Sequence, residues 1–287
     1  MTVGDELRPP VNVLLTHTVF MAKTSRTASQ NVVPIRAKDQ IVDSVRQLPL
    51  LPLRVDATIQ SPLKSADLKE LVQTIDGHIY AYKSVHEHQF FPASEFLCYR
   101  MAAACGLPVP FSALIEKTPG GEIGFGSRFE GGIEDPARLS THEQLSMFRD
   151  SKGPISAILA LDYFVGNDDR HKGNFIFRRN FKDKWVPLAI DYSRALYVRN
   201  FPHDQVPLPV SCNTRRTLDV LKASDMWDGP FAVFALESLG NVQKEHVANW
   251  LEEMPTAWLD QTKRRELVNW WQSDQFSSRL SAMYGAI

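Results

Sequence analysis

The sequence pattern changes near residue 140, and this change constrains the fold more than any other feature of the chain. Before it, segments rich in β-branched and aromatic residues predict short strands around one helix. After it, apolar residues recur mainly at helical spacing. Strands followed by helices are typical of an α+β protein. In the first part we predict strands at 53–60, 78–83, 112–116 and 122–129 and a helix at 93–105.

Turn residues mark the ends of these elements. Asp76-Gly77 predicts a hairpin turn before the second strand, because both central positions of a type I′ turn need positive φ. Gly106 predicts the end of the helix. In the second part, two short apolar strands are predicted at 175–178 and 185–190, and helices at 141–149, 154–164, 215–223, 230–238, 242–253, 263–272 and 274–283.

Composition limits the classes of function. The chain has 287 residues, a formal net charge of −1 and 44% hydrophobic residues, as in an ordinary soluble globular protein. The charge offers no general basic surface, so we expect no direct binding of nucleic acid. Three cysteines indicate a reducing compartment rather than a disulfide framework. With no apolar run long enough to span a membrane and no basic segment at the N-terminus, we expect a cytoplasmic protein without membrane contact.

The run Asn-Asp-Asp-Arg-His-Lys-Gly-Asn at residues 167–174 carries the strongest chemical signal. Asn174 follows Asp169 by five residues, and Asp191 follows Asp169 by 22, after an apolar segment. ATP-dependent phosphoryl transfer uses this set of groups. One carboxylate, here Asp169, orients the attacking hydroxyl, while an amide and a second carboxylate, here Asn174 and Asp191, hold Mg²⁺ on the phosphates. The alternative for Asp169 is a turn or cap.

A lysine and a glutamate in the first part extend this pattern. Lys83 closes a predicted strand, and Glu95 begins the next helix 12 residues later. A strand lysine paired with a helix glutamate places an ammonium group on the phosphates of ATP in kinases. Each residue is also commonplace in its position, so the pair gains weight only beside the downstream carboxylates.

Two further residues of the loop are catalytic candidates. His171 has the chemistry of a general acid or base, or it hydrogen-bonds the backbone beside the catalytic loop. Arg170 either contacts phosphate or braces Asp169.

The nucleotide contacts are less clearly marked. No Gly-x-Gly-x-x-Gly run precedes Lys83, so we predict that residues 60–65, including Lys64, turn over the phosphates through backbone N–H groups. Phe125 and Ser127 are predicted to contact the nucleotide, in a segment that links the lobes beside adenine. The alternative is that the segment with Phe125 and Ser127 is an ordinary strand that contains glycine and has no role in nucleotide binding.

These motifs resemble those of the HipA-like kinase family of serine/threonine kinases. The resemblance spans about residues 55 to 275, and the catalytic-loop run is its most specific part. Supporting matches are Asp76-Gly77 with Tyr82-Lys83, Ser94-Glu95 with Gly106-Leu107-Pro108-Val109-Pro110, Leu188-Ala189-Ile190-Asp191, and the segment 250–258.

The resemblance implies a bilobal protein-kinase-like α+β fold with a small β-rich N-lobe and a mostly helical C-lobe. We expect a loosely packed arm at 1–45, a nucleotide-binding N-lobe at 46–135 and a C-lobe with the catalytic loop and metal site at 136–287. The implied activity is transfer of the γ-phosphoryl group of ATP to a serine or threonine hydroxyl of a protein, with ATP and Mg²⁺ as cofactors. That protein is a separate substrate or the kinase itself.

Alternatives remain at this stage. The missing glycine-rich loop favours a nucleotide-binding module that acts by engaging a partner, and the Asp-Arg-x-x-x-Asn order is shared with kinases of lipids and other small molecules. An antitoxin or other regulatory protein is left open as a partner, because the serine- and glycine-containing phosphate loop of full-length HipA is not found.

Overall fold

The computed structural model describes residues 51–59, 70–129, 133–134, 139–202 and 208–287. The arm predicted at residues 1–45 and the phosphate turn predicted at residues 60–65, with Lys64, lie outside these described residues. The β-rich first part and the helical second part that the sequence predicts are both present.

Five strands of the first part close into a small barrel in the order β1-β2-β3-β5-β4. All neighbouring pairs are antiparallel except β1 with β4, whose parallel pairing of Leu53 with Ile115 closes the barrel. Tyr80 and Tyr82 alternate with outward residues on β3 and fill the interior. The strands are β1 Leu53–Ile59, β2 Glu70–Thr74, β3 Ile79–Lys83, β4 Ser112–Glu116 and β5 Ile123–Arg128.

The hairpin predicted at Asp76-Gly77 joins β2 to β3, but its turn type differs from the prediction. Only Gly77 has positive φ, at 81°. The Gly77 amide donates to the carbonyl of Thr74, and the Thr74 amide donates to the carbonyl of His78. This is a three-residue loop with one left-handed position, which needs a single glycine rather than a type I′ pair.

Helix α1 (Phe91–Ala104) follows the barrel's third strand and is buried along almost its whole length. Pro92 fits its first turn, where an N–H has no partner within the helix. The helix ends where Gly106 adopts φ 69°, with the Gly106 and Leu107 amides donating to Ala103 and Ala102. The predicted stop at Gly106 is confirmed, and the rigid helix fixes the position of Glu95.

The second part is built around helix α3 (Lys152–Val165), which is buried on all sides. A three-stranded antiparallel sheet pairs β6 (Ile133–Glu134) with β7 (Phe175–Arg179) and β7 with β8 (Trp185–Ala189). The remaining described elements are α2 Thr141–Asp150, α4 Asn213–Ala223, α5 Gly229–Gly240, α6 Lys244–Glu253, α7 Gln261–Trp270 and α8 Asp274–Ala286.

One large hydrophobic core runs from α1 through α3 to the C-terminal helices. The Trp258 ring meets the edge of Phe96 at a centroid distance of 6.1 Å. The Trp258 indole N–H also donates to the carbonyl of Ile123 on β5 at 2.8 Å. The barrel and the helical part are therefore packed together through shared aromatic residues. Among the described helices, none combines the length and the apolar character needed to cross a bilayer.

Candidate active site

The loop after α3 is fixed from beneath by a buried ion pair. Arg170 is fully buried. Its Nε donates to Oδ2 of Asp162 at 2.7 Å, and its Nη2 donates to Oδ1 at 3.0 Å. Asn167 donates to the same carboxylate at 2.8 Å. Burial raises the pKa of Asp162 and opposes charge on Arg170, whereas the proximity of Asp162 raises the pKa of Arg170 above its ordinary value.

The same arginine connects the loop to the sheet. Nη1 of Arg170 donates to the carbonyl of Asn174 at 2.6 Å and also to the carbonyl of Ile190. These two carbonyls lie at adjacent ends of β7 and β8. Because the guanidinium is enclosed by protein acceptors, the geometry favours the bracing role of Arg170 over contact with phosphate.

Asp169 lies beside the braced arginine and is half-buried. Its Oδ1 accepts a hydrogen bond from Asn213 Nδ2 at 2.5 Å, and its Oδ2 lies 3.3 Å from Nε of Arg194. Its backbone carbonyl accepts from Nδ2 of Asn174 at 2.9 Å. The structure therefore brings Asp169 and Asn174 into one hydrogen-bonded unit.

Asn174 and Asp191 meet at one end of the β7–β8 ladder. Phe175 pairs with Ala189, and the Ile190 amide approaches the carbonyl of Asn174 at 3.4 Å. Asp191 itself has φ 61°, a left-handed conformation that is unfavourable for most side chains and occurs often at functional sites.

Lys83 joins the barrel to this end of the sheet. Its Nζ donates to Oε1 of Glu95 at 2.5 Å and to Oδ1 of Asp191 at 2.7 Å. Burial opposes the charge of Lys83, but the two carboxylates raise its pKa above the ordinary value. For Glu95, burial raises the pKa. The predicted strand lysine, helix glutamate and downstream carboxylate thus form one buried contact.

The side-chain oxygens of Asp191 and Asn174 are suitable ligands for a hard cation. Burial alone would raise the pKa of Asp191, but Lys83 and the Ser193 hydroxyl hold it well below the usual range, so the side chain stays ionised. Because the Asn174 amide nitrogen is engaged by Asp169, its amide oxygen is left to bind a cation. Within the described residues, no group of three His, Cys, Asp or Glu could hold a metal alone. The set fits Mg²⁺, which is usually held by one or two protein oxygens together with substrate phosphates.

The other predicted site residues lie in different settings. His171 accepts a hydrogen bond from the Gly173 amide at its Nδ1, at 3.0 Å, and so caps the short 3₁₀ helix Lys172–Asn174. This hydrogen bond to the backbone is the alternative role that the sequence left open for His171. Phe125 is buried with its ring 5.1 Å from that of Tyr99, and Ser127 Oγ lies 2.6 Å from the Tyr99 hydroxyl. Phe125 also pairs with Lys83 in the β3–β5 ladder, and the nucleotide contacts of Phe125 and Ser127 stay predictions.

Sequence reasoning missed four residues of this site: Asp162, Ser193, Arg194 and Asn213. Asp162 carried a usable signal, because a lone carboxylate in the apolar run 154–164 needs a buried partner. The sequence contains no signal for Asn213 and Arg194, because they reach Asp169 only through the tertiary fold.

No family model matches the chain, and no curated protein matches it. Among solved structures, it is similar to the Helicobacter pylori proinflammatory kinase CtkA, at 13% identity and a TM-score of 0.49, over 75% of this chain and 94% of that one.

It is also similar to a chain of the Shewanella oneidensis MR-1 toxin–antitoxin complex of HipA, HipB and operator DNA. This match has 11% identity and a TM-score of 0.44, over 88% of this chain and 73% of that one. One of these two solved structures thus contains HipA, and both identities are low.

Proposed function

We propose that the protein is an ATP- and Mg²⁺-dependent kinase that phosphorylates a serine or threonine hydroxyl of a protein. The observation that carries this proposal is the contact of Lys83 with both Glu95 and Asp191, which joins the barrel, helix α1 and the segment after β8. In this proposal the barrel and the helical part act as the two lobes of a kinase, divided at about residue 135.

Each residue then has a defined role. Lys83, held by Glu95, binds the phosphates of ATP through its ammonium group. Asn174 and Asp191 supply the oxygens that hold Mg²⁺, which offsets the charge on the transferred phosphoryl group. Asp169 accepts a hydrogen bond from the incoming hydroxyl and orients its oxygen toward the γ-phosphorus.

Supporting residues hold this geometry without touching the reacting atoms. Arg170 and Asp162 fix the loop that carries Asp169, and His171 caps the 3₁₀ turn that leads to Asn174. A rigid support of this kind matters because small displacements of reacting groups lower the rate strongly.

The metal role of Asp191 has a direct test. Isothermal titration of ATP into the wild type should give tighter binding with Mg²⁺ than with EDTA. In the isosteric Asp191→Asn variant this gain should shrink about tenfold or more, because the anionic metal ligand is lost. Asp183→Asn, at a carboxylate that is 80% exposed, is the control and should behave as the wild type. An equal gain in Asp191→Asn, or no binding of ATP to the wild type, would contradict the proposal.

A second candidate function is supported by the surroundings of Asp169. Asn213 and Arg194 engage both of its carboxylate oxygens, the atoms that an incoming hydroxyl would need. A protein with this arrangement could bind nucleotide and signal through a partner without transferring phosphate. Binding of Mg²⁺-ATP with no formation of ADP would favour this function over the kinase.

A further inference from the structure

An apolar groove lies beside the catalytic loop, between α2 and α4. Its volume is about 510 Å³. Leu145 and Phe148 of α2 form one wall, and Val220 and Leu221 of α4 form the other, with Phe175 between them. This size is in the range of sites that take several side chains or a small ligand.

The groove keeps apolar side chains in contact with solvent. Val220 is 65% exposed and Leu145 is 42% exposed, although both belong to well-formed helices. Facing apolar side chains left exposed in one concave surface are typical of a binding site.

One end of this groove is the candidate active site itself. Asn213 lines the groove, and its amide donates to Asp169 Oδ1 at 2.5 Å. Lys172, three residues after Asp169, lines it as well. The hydroxyl of Thr217, another lining residue, donates to the carbonyl of Arg170 at 2.9 Å. A chain lying in the groove would therefore extend directly to Asp169.

The charge of the groove has one sign. Lys172 and Arg216 are its charged lining residues in the described part of the chain, and it contains no carboxylate there. Both side chains are exposed, and neither forms an ion pair with a described residue. An apolar groove with two exposed cations that have no ion-pair partner among the described residues complements a ligand that has apolar and acidic groups.

We propose that this groove binds a segment of the protein substrate in which acidic and apolar residues flank the phosphorylated serine or threonine. The apolar side chains of the segment pack between α2 and α4, and its carboxylates meet Lys172 and Arg216. The acceptor hydroxyl is thereby directed to Asp169. The inference rests on the proposed kinase function, because it assigns the substrate class of the same site.

Peptide binding to the full chain tests the groove without requiring catalysis. The probe is a fluorescent 15-residue peptide with one central serine, two leucines and three glutamates. A second peptide has lysine in place of each glutamate. We expect the glutamate peptide to bind about five- to tenfold more tightly by fluorescence anisotropy, as two exposed charge pairs allow.

Charge reversal then locates the binding site. The double variant Lys172→Glu/Arg216→Glu should reverse the preference in favour of the lysine peptide. The matched control Arg265→Glu/Lys244→Glu makes the same change of net charge at exposed positions of α7 and α6, and it should keep the preference of the wild type. Val220→Asn, at an exposed position, removes apolar contact without changing the net charge and should weaken binding of both peptides.

The outcomes separate the groove from the kinase function. Equal binding of the two peptides by the wild type, or an unchanged preference in the groove double variant, would overturn the inference even if the protein forms ADP from ATP. The expected preference and its reversal would support the groove even if no ADP is formed, in which case the kinase function alone would fail.

Discussion

At the scale of single residues, the site depends on one lysine shared by two carboxylates. Lys83 is buried between Glu95 and Asp191; the two carboxylates raise the pKa of Lys83, and Lys83 lowers the pKa of Asp191. A carboxylate whose pKa is lowered by folding stabilises the protein above its unfolded pKa, near 4, and loses this contribution as the pH falls. Asp191 is such a group.

Lys83→Met should therefore destabilise the protein in a pH-dependent way. We expect a loss of about 3 kcal/mol at pH 7, because a buried charge is left without its partner. The loss should shrink as the pH falls toward about 4 and below, because burial without Lys83 raises the pKa of Asp191 in the variant, which then takes up a proton that the wild type still resists. Urea denaturation of both proteins between pH 7 and pH 3.5 measures this difference.

Lys117→Met is the matched control. Lys117 pairs with Glu70 at 2.7 Å but is 41% exposed, so its loss should cost less than about 1 kcal/mol at any of these pH values. A difference between wild type and Lys83→Met that stays constant across the pH range would contradict the coupling to Asp191.

At the scale of elements, a second buried pair ties helix α3 to the catalytic loop and the sheet. Asp162→Asn keeps the shape of the side chain but leaves the guanidinium of Arg170 buried without a counterion. We expect a loss of about 3–5 kcal/mol in the free energy of unfolding, measured by urea denaturation. The exposed Asp183–Arg179 pair gives the control, since Asp183→Asn should cost under about 1 kcal/mol. A comparably small loss in Asp162→Asn would show that the pair does not anchor the loop.

The sequence predicted local elements well because their signals are local. Strand β4 has its predicted bounds, Ser112–Glu116. Helix α1 begins at Phe91, two residues before the predicted start, because Pro92 is compatible with the first turn of a helix. The turn at Gly77 differs from the predicted type because the hydrogen bonds of its flanking strands decide where the loop ends.

Contacts between distant segments could not be predicted in the same way. The closure of the barrel needs β1 to pair with β4, some 60 residues away in sequence, and no periodicity encodes that pairing. In the site, the spacing of Asp169, Asn174 and Asp191 predicted a carboxylate that orients the hydroxyl beside two ligands of one Mg²⁺. The approach of Asn213 to Asp169 depends on how α4 packs, since 44 residues separate the two.

At the scale of the whole molecule, the proposed kinase function assigns a phosphate-binding lysine to the barrel and the remaining chemistry to the helical part. Shared packing holds these parts together, as the Trp258 hydrogen bond to Ile123 and the Lys83 contact with Asp191 show. The central claim is that this assembled site transfers phosphate.

Formation of ADP from Mg²⁺-ATP is the most direct measurement of that claim, because it reports transfer to any acceptor, including the protein itself and water. The account predicts that the wild type forms ADP. The Asp169→Asn variant should bind ATP with similar affinity but form ADP about 10²–10⁴-fold more slowly, because the carboxylate that orients the hydroxyl is lost. No ADP from the wild type, or equal rates from both proteins, would contradict the account.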